Sequence, residues 1–226
     1  MAEKKALLIL RLEGALQAWG ESSKWDYRDS ADFPTKSGIV GLLGCALGLE
    51  RGDPALWELS EAITVAVRAD RPGLRTVDFQ TVTGSPLRNA EGKPKTGGNT
   101  IISRRAYLQD ACFTVFIETD DVWRDRLVTA LQGPKWPLYL GRKNCVPSRP
   151  VLEAASQDYA SLGDALARYP AAERAISPMP CEVEQDAPAL SSYLRPDRLV
   201  SGEREFALRR VWRGAVKEDT DGPGQN

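Results

Sequence analysis

The stretch that most constrains this chain is residues 34–49, Pro-Thr-Lys-Ser-Gly-Ile-Val-Gly-Leu-Leu-Gly-Cys-Ala-Leu-Gly-Leu, which starts as a capped helix and continues as an apolar one rich in glycine. Thr35 is an N-cap residue, and Ile39, Leu42, Leu43, Ala46, Leu47 and Leu49 recur at the helical period. At about 100° per residue these positions fill one arc, while Gly41, Gly44 and Gly48 lie together on the other side. An interior glycine costs about 1 kcal/mol of helix propensity against alanine, so something must come close to that side. One reading is tight helix-to-sheet packing. The other concerns the first turn, where Lys36 stands at the positive end of the helix dipole and is unfavourable there unless an anion such as phosphate is shared. A Walker nucleotide loop is excluded, because Ser30 and Thr35 occupy the positions where that motif needs glycine.

With 226 residues, 42% of them hydrophobic and 27% charged, the chain has the size and balance of one globular domain with a real core. No run approaches the ~18 apolar residues of a membrane span, and the Ala6–Leu10 run is too short for a secretory core, so a cytoplasmic protein with no membrane partner is expected. Cys45, Cys112, Cys145 and Cys181 are far apart and form no C-x-x-C, which leaves neither a zinc site nor a compact disulfide framework. No metal or cofactor is expected. Histidine is absent, so Ser-His-Asp and Cys-His catalysis are excluded and the usual general acid and base near neutral pH is missing.

The net charge of -1 hides a segregation of sign. Ser103-Arg104-Arg105, Gly141-Arg142-Lys143 and Arg209-Arg210-Val211-Trp212-Arg213 are basic, whereas 182–186 and 218–221 are acidic. The last basic group, built around a tryptophan, has the composition of a subunit-interface anchor.

Along the chain, residues 6–12 form a buried-strand pattern. An irregular stretch at 13–34 follows, with Trp19, Trp25, Tyr27 and Phe33 among Lys24 and Arg28. Those rings either stack bases beside phosphate-binding cations or pack the loop on the core. Asp53-Pro54 opens a short helix, and 63–68 and 75–82 read as strands. Residues 83–99 carry four glycines, two prolines, Arg88, Lys93 and Lys95 without an apolar period, which predicts the tip of a protruding hairpin. Strands are expected at 101–109 and 112–118, paired through Gln109-Asp110, then an amphipathic helix from Asp121 to Gly133-Pro134. A helix at 162–169, strands near 193–199 and 206–216, and a disordered tail at 218–226 complete the reading. The order strand, helix, strand, strand, helix predicts an α+β layer of ferredoxin-like or RRM-like type.

Four segments in order carry a resemblance: Leu12–Gly20 (LEGALQAWG), Pro34–Gly38 (PTKSG), Arg104–Ala111 (RRAYLQDA) and Leu140–Ser148 (LGRKNCVPS). Together, over about residues 6–213, the chain resembles the fifth-family RAMP subunits of type I-E CRISPR Cascade complexes, the CasD proteins. The family's pattern departs at Ala15, Ser30 and Asn144, where it favours proline, threonine and serine; the latter two keep hydrogen-bonding ability.

The resemblance implies a single RAMP-type domain over 1–217. A modified RRM or ferredoxin-like palm spans about 1–150, a β-hairpin thumb about 79–103, and a C-terminal β-containing elaboration 151–217. It implies a non-catalytic subunit that holds the 5′ handle of the CRISPR RNA, caps the backbone filament, and contacts the backbone subunits and the large PAM-reading subunit. Target DNA would be met only through the complex. Single-stranded RNA needs cations for phosphates, rings for splayed bases and donors for base edges and 2′-hydroxyls. Lys36, Ser37, Gly38 and Gly41 on the helix are therefore expected at RNA, as are Gln17, Trp19 and Arg28 before it. Arg88, Lys93 and Lys95 on the thumb, Arg104, Arg105 and Tyr107 on one strand, and Gly141, Arg142, Lys143, Asn144 and Arg149 in the basic turn complete the set. Strand alternation sends Arg105 and Tyr107 to one face and Arg104 to the other. The competing activity is a metal-independent endoribonuclease relying on Tyr107 or Tyr27 and on Lys36 or Lys143.

Overall fold

The computed structural model describes residues 6–24, 26–84, 87–88, 93–94, 100–185, 192–201 and 205–217, except for the side chain of Ala6. Trp25, Lys95, most of the expected hairpin tip and the tail at 218–226 lie outside the described residues.

The first strand, β1 (Ala6–Glu13), opens with an uninterrupted apolar run because both of its faces are covered. Leu8, Leu10 and Leu12 enter the main core, whereas Leu7 and Ile9 enter a second cluster on the opposite face. The stretch read as irregular contains two short strands, β2 (Leu16–Gln17) and β3 (Tyr27–Arg28). Helices α1 (Lys36–Leu47) and α2 (Pro54–Ala62) follow, capped by Thr35 and Asp53 as their sequences require. Then come β4 (Thr64–Arg71), β5 (Leu74–Thr83), β6 (Thr100–Gln109), β7 (Cys112–Thr119), α3 (Asp121–Gln132), β8 (Leu152–Ser156), α4 (Leu162–Arg168), β9 (Met179–Glu184), β10 (Ser192–Leu199) and β11 (Phe206–Val216). None of the described helices is long and apolar enough to cross a membrane.

Seven strands form one antiparallel sheet in the order β10-β11-β9-β4-β7-β1-β8. The β4-β7-β1-β8 end of this sheet, with α1 and α2 between β1 and β4 and α3 between β7 and β8, is the expected ferredoxin-like arrangement. Because β8 is the fourth strand of that unit, the unit runs past residue 150, and β9 to β11 are what the C-terminal part adds.

A second sheet has the order β2-β6-β3, with β5 also on β6. The hairpin β5–β6 is inserted between the palm strands β4 and β7 and is paired from Leu74 with Gln109 to Thr83 with Thr100, longer at its base than 79–103. The expected pairing of β6 with β7 does not occur. Both edges of β7 are taken by β1 and β4, and those of β6 by β5, β2 and β3. Between them Asp110 adopts φ 56°, its N–H donates to the carbonyl of Ala15 at 3.1 Å, and the chain passes from one sheet to the other.

The glycine side of α1 meets a helix rather than the sheet. A Cβ on Gly44 would stand 2.3 Å from Leu56 Cδ2 of α2, while Ile39, Leu42, Leu43 and Ala46 fill the core on the other side. The anion at the helix start belongs to the chain itself: the Lys36 N–H donates to Asp197 Oδ2 at 2.8 Å, from a residue 161 positions away.

That contact is part of a buried ion network joining the C-terminal strands to the palm. Arg209 donates to both oxygens of Asp197 at 2.8 and 2.7 Å, and the Lys36 ammonium reaches Glu184 and the carbonyl of Ile63, each at 2.8 Å. Arg195 donates to Glu182 at 2.6 Å and to the carbonyl of Phe33 at 3.1 Å, and also pairs with Glu21. Arg213 pairs with Glu182 and lies 5.2 Å over the Phe33 ring. The Arg209 and Arg213 expected at a subunit interface are thus engaged within the chain. On the far face, buried Asp70 accepts from Arg11, Arg68 and Thr114 at 2.6 to 3.0 Å, while Arg68 donates to three carbonyls, of Leu166, Tyr169 and Pro170, tying down the end of α4.

Removing one partner from a buried ion pair leaves an uncompensated charge. Asp197→Ala should therefore lower stability by about 3 to 5 kcal/mol in denaturant melts, with little dependence on salt. Burial, helped by the hydrogen bond it donates to Glu182 at 2.6 Å, pushes the Tyr193 phenol from its ordinary 10.0 up to about 12. In the folded state the proton is therefore held longer than in the unfolded state, so stability is intact below about pH 10 and declines as pH rises toward about 12. Tyr193→Phe should remove that part of the alkaline decline, read as melting temperature against pH.

Candidate nucleic-acid interface

A cleft of about 710 Å³ opens where the start of α1, the approach to α2, the turn after Ala18, strand β6 and the β10–β11 connection meet. Eight of the residues expected at RNA line it: Trp19, Arg28, Ser37, Gly38, Gly41, Arg105, Gly141 and Arg142. Distant parts of the sequence thus converge on one concave surface.

Arg105 is half-buried and lies on the same face of β6 as buried Ser103, whose hydroxyl it approaches at 3.3 Å, and as Tyr107. Alternation places the exposed Arg104 on the other face, 5.8 Å over Phe79 of β5. Gly41 is exposed, and a Cβ there would meet nothing within 4 Å, so this turn of the helix is open to a ligand backbone. The loop at the rim is ordered by Asp29. Burial alone would raise its pKa, but hydrogen bonds from the hydroxyls of Ser23 and Ser22 and from the N–H groups of Ser22 and Glu21 hold the carboxyl below its ordinary value.

Several expected contact residues turn inward, where partners within the fold satisfy them. Lys36 is 2% exposed and its ammonium is spent on Glu184 and Ile63, so it does not present its charge to the cleft. Gln17 is fully buried and donates to the carbonyls of Leu12 and Ala111 while accepting from the Trp19 indole at 3.2 Å. Trp19 is itself 1% exposed, and its ring closes against Gly38. Tyr107 is equally buried, its hydroxyl accepting from Asn144 at 3.1 Å.

The basic turn follows an irregular stretch after α3, and it works as a staple. Gly141 has φ 88°, and a Cβ there would lie 1.7 Å from the carbonyl oxygen of Ala18, so only glycine fits. Arg142 donates to the carbonyls of Ala106, Arg28 and Asp29, each at 2.9 Å, and its guanidinium lies 4.7 Å over the Tyr107 ring. Its charge still faces the cleft, but its hydrogen bonds hold β3 and β6 together.

Lys143 is exposed and lies outside the cleft lining, and Arg149 is paired with Glu153 at 3.0 Å. Arg88 sits in an isolated bridge with Pro94, and neither it nor Lys93 lines the cleft. The lining also holds residues not expected there, among them Arg51, Trp57, Ser201 and Phe206. Trp57 had a visible signal, a large ring in a short capped helix. Among the described residues, no group of three or more metal-ligating side chains is gathered.

The family described as CRISPR-associated protein (Cas_Cas5) matches residues 7–212. The chain belongs to the Cas5 family. It is 35% identical over 167 residues to the CRISPR system Cascade subunit CasD of Escherichia coli (strain K12), an alignment spanning 68% of this chain and 72% of that protein. Its fold matches a chain of a solved CRISPR RNA-guided surveillance complex with a TM-score of 0.76 and 29% identity, covering 97% of this chain and 95% of that one. A crystal structure of a Cas protein matches with a TM-score of 0.74 and 32% identity, covering 96% and 100%. The resemblance carried by the four sequence segments thus agrees with the whole fold of this Cas5-family chain.

If Arg142 is the staple described, Arg142→Ala leaves three carbonyls without their donor and should cost on the order of 2 kcal/mol or more in thermal or denaturant unfolding. Arg105→Ala, at the cleft surface, should change stability by less than about 0.5 kcal/mol.

Proposed function

We propose that this Cas5-family chain is a non-catalytic RNA-binding subunit of a Cascade-type surveillance complex in the cytoplasm. It holds the repeat-derived 5′ handle of the CRISPR RNA in the cleft, caps the backbone filament and contacts the large PAM-reading subunit, meeting target DNA only through the complex. The palm, the inserted hairpin acting as thumb and the added C-terminal strands are the parts of this single unit.

The observation that carries the reading is the convergence of Arg28, Arg105 and Arg142 with the open turn of α1 at Gly41, at the base of the hairpin that contains β6. Guanidiniums supply the charge for phosphates, and a helix turn without side chains admits a sugar-phosphate backbone. The three carboxylates in the lining are occupied elsewhere: Glu21 by Arg195, Asp197 by Arg209, and Asp53 by the N–H of Ala55. The field in the cleft is therefore set by arginine.

The same lining speaks for a binding role over catalysis. Scission by attack of a 2′-hydroxyl needs a group that exchanges a proton near neutral pH. Among the described lining residues there is no lysine, tyrosine or cysteine, the sequence has no histidine, and the Tyr107 hydroxyl and Lys36 ammonium are engaged in the interior.

Handle RNA binding should fall steeply with salt. Arg105→Glu should weaken it about 10-fold or more and flatten the slope of log affinity against log salt by about one phosphate's worth. Repeat RNA incubated with the protein in EDTA should stay intact. Site-specific cleavage there, or binding indifferent to Arg105→Glu, would refute the assignment.

A further inference from the structure

One part of the cleft wall differs from the arginine-lined part. Trp57, half-buried, and Phe206, 41% exposed, both line it, yet neither packs against the main core as their neighbours Leu56 and Leu199 do. Trp57 lies one turn before Glu61, whose carboxylate stands 3.6 Å from Arg198 of β10, and this side of α2 therefore looks toward the β10–β11 connection. Phe206 pairs with Leu199 at the far end of that connection. Among the described residues the Trp57 ring has no aromatic, cationic or hydrogen-bonding partner. A half-exposed tryptophan ring without such a partner is a poor use of a group that buries well, and a ligand face is the partner it fits.

Two further groups in this region lack partners. Arg51 is exposed and makes no ion pair among the described residues, although its neighbour Asp53 caps α2. The Ser201 hydroxyl is closed off from solvent and has no hydrogen-bond partner among the described residues. A buried hydroxyl left unpaired is costly, and a polar edge brought in by a ligand would satisfy it.

We infer that the cleft receives one nucleotide swung out of the RNA, its base stacked on Trp57 and Phe206 and its phosphate held by Arg105 and Arg51; this rests on the handle-binding reading above. The volume, about 710 Å³, lies within the ~300 to 1,000 Å³ in which proteins enclose one small-molecule-sized group. It has room for a single nucleotide. Stacking on a ring is tolerant of base identity, so the pocket selects an unstacked nucleotide at one position along the strand. The open turn at Gly41 lets the strand enter and leave beside it.

The test is an abasic scan of the handle in the assembled complex. Each handle nucleotide of the locus's own repeat RNA is replaced in turn by an abasic one, and affinity is measured by competition for wild type, Trp57→Ala, Trp57→Phe and Arg105→Glu. One abasic position should weaken wild-type binding about 5- to 150-fold, the worth of one stacked base, and the same position should cost markedly less in Trp57→Ala, where only the Phe206 contact is left to lose. Trp57→Phe should retain most of the wild-type effect, and the melting temperature of Trp57→Ala should stay close to wild type. If Arg105→Glu weakens binding but no position is coupled to Trp57, the nucleotide pocket is wrong while handle binding stands. Affinity indifferent to both Arg105→Glu and Trp57→Ala would overturn the two readings together.

Discussion

Asp197 holds the amino-terminal turn of α1 to the last two strands of the chain, and much of the architecture around the cleft hangs on that carboxylate. It accepts the Lys36 N–H at the start of the helix and both arms of the Arg209 fork, while Arg195 stands 3.6 Å from it. A helix start demands an anion, a buried arginine demands a carboxylate, and one residue meets both needs. Without it the first turn of α1 would face the cleft with an unmatched dipole and β11 would carry an unpaired charge. The glycines of α1 become intelligible in this frame. Gly38 lets the helix settle on Trp19, Gly44 lets α2 lie close, and Gly41 alone looks outward, into the cleft.

Much of this was legible in the sequence because it is local. The caps of α1 and α2, the continuous apolar run of β1, the strand alternation that separates Arg104 from Arg105, and the insertion between β5 and β6 are all set by neighbours within a few residues. What was not legible is which cations stay free. Lys36 reads as a surface phosphate ligand until Glu184 and Asp197 arrive from 148 and 161 residues away. Arg142 reads as a basic contact until three carbonyls from two other segments claim its donors. The rule behind both cases is that a charge is bought into the interior only by a partner, and sequence order does not reveal distant partners. The same limit hid Trp57 and Phe206, whose importance lies in what they fail to touch.

The inward-turned residues are not irrelevant to the cleft. Trp19, Tyr107, Gln17 and Arg142 form its supporting layer: the indole donates to Gln17, Gln17 fixes the end of β1, and the Tyr107 ring carries the Arg142 guanidinium. Such backing fixes the positions of the cleft's arginines, because long side chains on a loose loop keep more freedom. The motif segments that identify the family are therefore largely motifs of support, with fewer direct contacts among them than their basic composition suggests.

Strand β6 belongs to two tasks at once. One edge carries β5 through ten paired positions, from Leu74 opposite Gln109 to Thr83 opposite Thr100, and the other edge is clasped by β2 and β3 beside the cleft. The register at the base of the hairpin is thereby locked independently of whatever lies between residues 84 and 99. Insertions, deletions or exchanges in that tip can alter how far the hairpin reaches without moving Arg105. Reach and grip are free to diversify separately among relatives, and a tip transplanted from one to another should find the same footing.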